Sequence, residues 1–146
     1  MFRIIRLEAK EILTMEAVID RILSEAKTVA VVGISDKPDR PSHGVARYLQ
    51  ERGYRVIPVN PLLSEVLGEK AYKSLSDIPG QVDLVDVFRK SEEVPPIAEE
   101  AIRIGARFFW MQEGVVSIAA REQLEQAGIP AVMDRCVKKE LAKRGR

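Results

Sequence analysis

The stretch Gly33-Ile34-Ser35-Asp36-Lys37-Pro38-Asp39-Arg40-Pro41-Ser42 carries the residue types that hold phosphate. Gly33 closes a β-branched run, and a glycine there permits a tight turn and close backbone approach. Pro41 or Ser42 opens a helix, whose first-turn amides and positive dipole end favour an anion. Ser35 and Ser42 add hydroxyl donors, and Lys37 and Arg40 add positive charge. The spacing is not G-x-G-x-x-G, because Gly33 and Gly44 stand eleven apart with no glycine between, and no G-K-[ST] phosphate loop occurs.

Four more apolar runs hand over to polar or ring-bearing residues. One ends in Val59-Asn60-Pro61, the next in Phe88-Arg89-Lys90, then Gln112-Glu113-Gly114, and the last in Asp134-Arg135-Cys136. A dinucleotide site usually places a carboxylate at the first of these positions, the end of the second strand, for the ribose 2′-hydroxyl. The neutral Asn60 counts against NAD and is compatible with another adenosine ligand. Phe88 and Arg89 together offer an apolar or stacking surface for adenine and a cation for phosphate. Other residues carry no chemistry on this reading. Asp83 and Asp86 are three apart on a strand and point to opposite faces, so they form no acid pair. Trp110 reads as core, and Glu113 as a general base without an identifiable nucleophile. The Glu92-Glu93 and Glu99-Glu100 pairs read as solvated helix surface.

The elements that position these residues follow from periodicity. The continuous β-branched run at 28–32 and the largely apolar runs at 54–59, 82–88, 107–111 and 131–133 read as strands, with a small edge strand at 71–73. Helical spacing runs over 15–26, from 41 or 42 to 53, over 95–104 and over 117–127, with a short basic helix at the end. Residues 64–67 are at most a short helix, and Pro58 predicts a bulge or strand end beside it. Strand and helix alternate with short connections, which predicts an α/β fold: a Rossmann-like, doubly wound parallel sheet of order 3-2-1-4-5-6. Ligands of such sheets bind outside the carboxyl ends of the strands.

Composition bounds the rest. A chain of 146 residues, 46% hydrophobic and 31% charged, is sized for a single domain spanning 1–146, with residues 1–14 as a loosely attached extension. Twenty-three basic against twenty-two acidic residues leave +1, which lacks the footprint of a nucleic-acid binder. One cysteine and one histidine exclude a disulfide framework and a histidine-rich metal centre, and fit a reducing cytoplasm. The charged start supplies no signal-peptide core, and no apolar run approaches the roughly 20 residues of a membrane span.

The ordered blocks 29–42, 59–61, 82–89 and 110–114 closely resemble the small single-domain CoA-binding proteins of the YccU type. That family is similar to the CoA-binding Rossmann domain of the succinyl-CoA synthetase α subunit and of ADP-forming acyl-CoA synthetases. The resemblance covers roughly residues 22–140. It implies coenzyme A, or an acyl-CoA, with its diphosphate over Gly33 to Ser42. It places adenosine at Asn60-Pro61 and Phe88-Arg89, and the thiol-bearing side at Gln112-Glu113-Gly114 and Cys136. The synthetases add a second domain with a phosphorylated histidine and a nucleotide-binding partner. Here His43 falls in the ligand loop, as a helix-start residue rather than a phosphoryl carrier, so the resemblance implies binding without ligase chemistry. Cys136 is open to two readings, an apolar packing residue or a thiol that forms a mixed disulfide with CoA. Three alternatives stand beside the main one: an NAD(P)-dependent oxidoreductase, a non-catalytic subunit of an acyl-CoA synthetase, and a structural subunit. The expected partners are the small-molecule ligand and a partner enzyme subunit or second copy, with neither nucleic acid nor membrane.

Overall fold

Strands with apolar side chains on both faces must be covered on both sides, and this requirement organises the chain. The computed structural model describes residues 2–146, with side chains from Thr14 onward. In chain order its elements are α1 (Phe2–Glu25), β1 (Thr28–Val32), α2 (Pro41–Glu51), β2 (Arg55–Val59), β3 (Glu65–Val66), β4 (Glu69–Lys70), β5 (Leu84–Val87), α3 (Val94–Arg103), β6 (Phe108–Met111), α4 (Ile118–Gln126), β7 (Ala131–Val132) and α5 (Val137–Lys143). Short 3-10 turns lie at Leu75–Asp77 and Ser91–Glu93.

The main sheet has five parallel strands in the order β2-β1-β5-β6-β7. This is the expected α/β Rossmann-like sheet, with one difference at its edge. The strand expected at 71–73 is reduced to a single parallel bridge, Val59 to Tyr72. Tyr72 N donates to Pro58 O and Asn60 N donates to Tyr72 O, both at 2.9 Å. The next rung of that ladder needs a donor on Pro58 N, which has no hydrogen, so pairing stops there.

Two further expectations are corrected. Residues 64–67 are not helical: β3 and β4 pair antiparallel, Glu65 with Lys70 and Val66 with Glu69. Leu67 and Gly68 turn the hairpin at φ 54° and 76°, the positive pair that a two-residue type I′ connection requires. Helix α1 also begins at Phe2 rather than near residue 15. The notion of a loose extension falls on residues 1–14, of which 1–13 have side chains outside the described residues.

Helices cover the sheet on both sides. Ile19, Ile22 and Leu23 of α1, Val45, Ala46 and Leu49 of α2, and Val137 and Leu141 of α5 bury Val29, Val31, Leu84, Phe108 and Trp110. Val94, Ala98 and Ala101 of α3, with Ala120 and Leu124 of α4, bury Ala30, Val32, Val85, Val87, Phe109 and Met111. Trp110 is core as expected, and its Nε1 donates to Arg135 O at 2.7 Å. Charged groups fasten α1 to the chain's end, with Glu16 2.9 Å from Arg135 and 2.7 Å from Arg144. No helix among the described residues is long and apolar enough to cross a membrane.

All five strands run the same way, so their carboxyl ends emerge along one edge. The order reverses beside β1, whose chain neighbour β2 lies on one side and β5 on the other. The crevice expected of such a reversal lies between the exits of β1 and β5. Asp83 sits at the opposite edge, where its Oδ2 accepts from Lys27 N (2.8 Å) and Thr28 N (3.1 Å). Asp86 is buried within the sheet, so the two carboxyls form no acid pair.

Candidate functional site

At the crevice, Gly33 has φ +87°, a conformation that side chains rarely tolerate. A Cβ on Gly33 would lie 2.4 Å from Phe88 O and 2.7 Å from Arg89 Cδ. Glycine is therefore required here twice, by backbone angle and by the strand beside it. Phe88 N donates to Val32 O (2.8 Å) and Gly33 N to Val59 O (2.9 Å), which locks the first exit between its two neighbours.

The following loop is held in shape by its own serines. Ser35 N donates to Ser42 Oγ at 2.9 Å, and Lys37 N donates to Ser35 Oγ at 3.1 Å. Both hydroxyls act as acceptors inside the loop, and each keeps its proton to donate outward. Pro41 starts α2 without an amide hydrogen, and His43 N and Gly44 N donate to Arg40 O (3.1 and 3.2 Å), which leaves Ser42 N as the open amide of the first turn among the described residues. Lys37 and Arg40 have no carboxylate at ion-pair distance among the described residues.

Three neighbouring clefts, which share Gly33, Phe88 and Arg89 pairwise as wall residues, follow the strand exits. The loop cleft, about 340 Å³, is lined by Gly33, Ser35, Lys37, Arg40, Pro41, Ser42 and Phe88. On the α2/α5 side it meets a cleft of about 660 Å³, which includes Phe88, Arg89, Gln112, Glu113 and Cys136. On the α3 side lies a cleft of about 520 Å³, lined by Val59, Asn60, Pro61, Arg89 and residues of α3. Of the residues expected to touch the ligand, Gly33, Ser35, Lys37, Arg40, Pro41, Ser42, Asn60, Pro61, Phe88, Arg89, Gln112, Glu113 and Cys136 line one of them, and Ile34 and Gly114 do not. The Ile34 side chain is fully buried in the core, and its carbonyl accepts from Asn60 Nδ2 at 2.8 Å. Asn60 Oδ1 in turn accepts from Leu62 N at 2.8 Å, so this amide ties two exit loops together.

The structure separates residues that the sequence groups. Phe88 lines the loop cleft and the α2/α5 cleft, whereas Asn60 and Pro61 line the α3 cleft. Arg89 borders both larger clefts and is paired with Glu93 through Nε (2.9 Å) and Nη2 (3.1 Å). The hydrogen bond from Arg89 holds the Glu93 carboxyl below its ordinary range. Glu113 accepts from Lys139 Nζ at 2.9 and 3.0 Å, and this bond raises the Lys139 ammonium pKa. Gln112 is buried and its Oε1 accepts from Val137 N, at the start of α5, at 3.2 Å. Cys136 precedes that helix, packs into the core and still borders the α2/α5 cleft. His43 lies in the first turn of α2, is buried, and lines none of the three clefts.

Sequence reasoning missed Val45, Glu93 and Val115 on one side, and Lys73, Ser74, Pro96 and Ile97 on the other. The reading of 92–93 as solvated helix surface gave no hint of Glu93's place between two clefts. Lys73 and Ser74 reach the site because the Tyr72 bridge carries them to the exit of β2.

The sequence model of the CoA binding domain family matches residues 27–142. This chain belongs to that family. It is 47% identical over 123 residues to the uncharacterized protein YneT of Bacillus subtilis, covering 84% of this chain and 91% of YneT. A solved structure of a hypothetical protein from Pyrococcus horikoshii superposes with a TM-score of 0.85 at 39% identity, covering 88% of this chain and 90% of that one. The family resemblance extends to a larger enzyme, acetate–CoA ligase (ADP-forming) II of Archaeoglobus fulgidus. Identity to it is 32% over 89 residues, which span 60% of this chain and 13% of the ligase. The match thus covers one small part of that enzyme.

Proposed function

We propose that the protein binds coenzyme A or an acyl-CoA along the carboxyl edge of its sheet, with no ligase chemistry of its own. Diphosphate lies over the loop from Gly33 to Ser42. Adenosine occupies the α3 cleft, beside Asn60, Pro61 and Arg89. Pantetheine extends past Phe88 into the α2/α5 cleft, towards Gln112, Glu113 and Cys136. The observation that carries this reading is that the three neighbouring clefts share Gly33, Phe88 and Arg89 as wall residues, with Lys37 and Arg40, unpaired among the described residues, lining the central one. An elongated ligand with a diphosphate at its middle and an adenosine arm and a pantetheine arm at its ends matches that layout.

Among the described residues no group of three histidine, cysteine or carboxylate side chains is arranged to hold a metal. The part of the ADP-forming ligase that this chain resembles supports a second use, as the CoA-binding component of a larger assembly. Titration with CoA, NAD, ATP and ADP-ribose, followed by thermal unfolding, tests the assignment. CoA at a hundred times its Kd stabilises a folded protein by about 2.7 kcal/mol, a rise of roughly 5–10 °C for a domain of this size. Stabilisation by NAD instead of CoA would favour the oxidoreductase reading. Acyl-CoA formation by the pure protein with ATP and a carboxylate would overturn the absence of ligase chemistry.

A further inference from the structure

The α3 cleft contains a cation that neither the family match nor the exit-loop reading accounts for. Val32, Val59, Pro61, Pro96 and Ile97 give it apolar walls of the kind that accept a purine. At its rim, Lys73 and Ser74 follow directly on Tyr72, whose main chain is pinned to Pro58 and Asn60. The Lys73 ammonium has no ion-pair partner among the described residues.

Three carboxylates share the cleft, and their commitments matter. Glu93 is paired to Arg89 through two bonds. Glu100 accepts from Leu75 N (3.2 Å) and Ser76 Oγ (2.9 Å), which holds it against the 3-10 turn. Glu92 is exposed and has no partner among the described residues. Arg89 is occupied, so Lys73 is the one cation lining this cleft that is open to an incoming anion. A lysine suits that task as a compact charge with three rotatable donors.

Resting on the CoA reading above, we infer that Lys73, with the Ser74 hydroxyl, reads the 3′-phosphate on the adenosine ribose. The α3 cleft is then the specificity end of the site, and Lys73 separates CoA from nucleotides that share its adenosine diphosphate but lack that phosphate. Lys37 and Arg40 contact the part common to both classes and do not discriminate.

The test is calorimetric titration with CoA and dephospho-CoA on the wild type, Lys73→Gln and Lys37→Gln. Lys73 is exposed, so its replacement leaves the fold intact. Wild type is expected to prefer CoA by about two- to fivefold, the range of one charged contact at an exposed site. Lys73→Gln should bring that ratio near one while leaving dephospho-CoA affinity unchanged. Lys37→Gln should weaken both ligands alike and preserve the ratio. A wild type that binds CoA with a ratio unaltered by Lys73→Gln overturns the role of Lys73 and leaves the CoA reading standing. A wild type that binds neither ligand overturns both.

Discussion

Replacing Asp86 should make this protein more stable. The residue lies on β5 in register with Val31 of β1 and Trp110 of β6, fully buried, and neither carboxyl oxygen has a hydrogen-bond partner. Burial pushes its pKa well above the ordinary aspartate range. An unsatisfied buried polar group costs about 1–3 kcal/mol even when neutral. The folded protein also holds this proton more tightly than the unfolded chain, where aspartate titrates near about 3.9. Its contribution is therefore fully present below that value and is lost as pH rises through the raised folded pKa. Asp86→Val removes both costs and suits a strand flanked by Val31 and Trp110. The expected gain at pH 7 is about 1–3 kcal/mol, or roughly 3–10 °C in Tm. Asp86→Asn keeps the polar cost but abolishes the titration, so it should flatten the pH dependence with a smaller gain. Urea unfolding between pH 5 and 8, read by the fluorescence of the single tryptophan, Trp110, measures both effects. An Asp86→Val protein less stable than wild type at pH 7, with an unchanged pH slope, would refute the reasoning.

Gly33→Ala meets Phe88 O at 2.4 Å in a left-handed backbone, so it should cost about 1–3 kcal/mol of stability. It should also weaken CoA binding by more than about tenfold, as checked by urea unfolding and calorimetry; wild-type affinity would show that the loop tolerates displacement. Glu93→Gln removes the carboxylate that competes for Arg89, and should tighten CoA binding by about two- to fivefold. Arg89→Gln should weaken it, and an unchanged affinity in both variants would take Arg89 out of the site.

Much of this architecture is written locally. The period changes at residues 28, 54, 82, 107 and 131 mark strands, because β-branched runs bounded by turn residues leave little other choice. Their parallel arrangement follows from alternation with helices, and Gly33 stands out because a chain leaving a buried strand for a helix needs a sharp turn. The carboxyl edge was legible as the place for a ligand on the same grounds. The hairpin at 65–70 was not, since Leu67 is a residue that local chemistry would not choose for a positive φ. The missing rung beside Pro58 was legible only as a disturbance of uncertain kind.

The sequence by itself thus determined which residues arrive at one edge of the sheet, because strand direction and turn chemistry are short-range properties. Only tertiary structure decided which of them share a cleft. It set Phe88 and Asn60 in different clefts, tied the Asn60 amide to Ile34, set Glu93 across Arg89 and brought Lys73 in from the Tyr72 bridge. It also enclosed Asp86 between Val31 and Trp110, where the strand pattern records alternation but not the absence of a partner. Those relations join segments tens of residues apart, and strand order and the packing of the two helical layers bring them together.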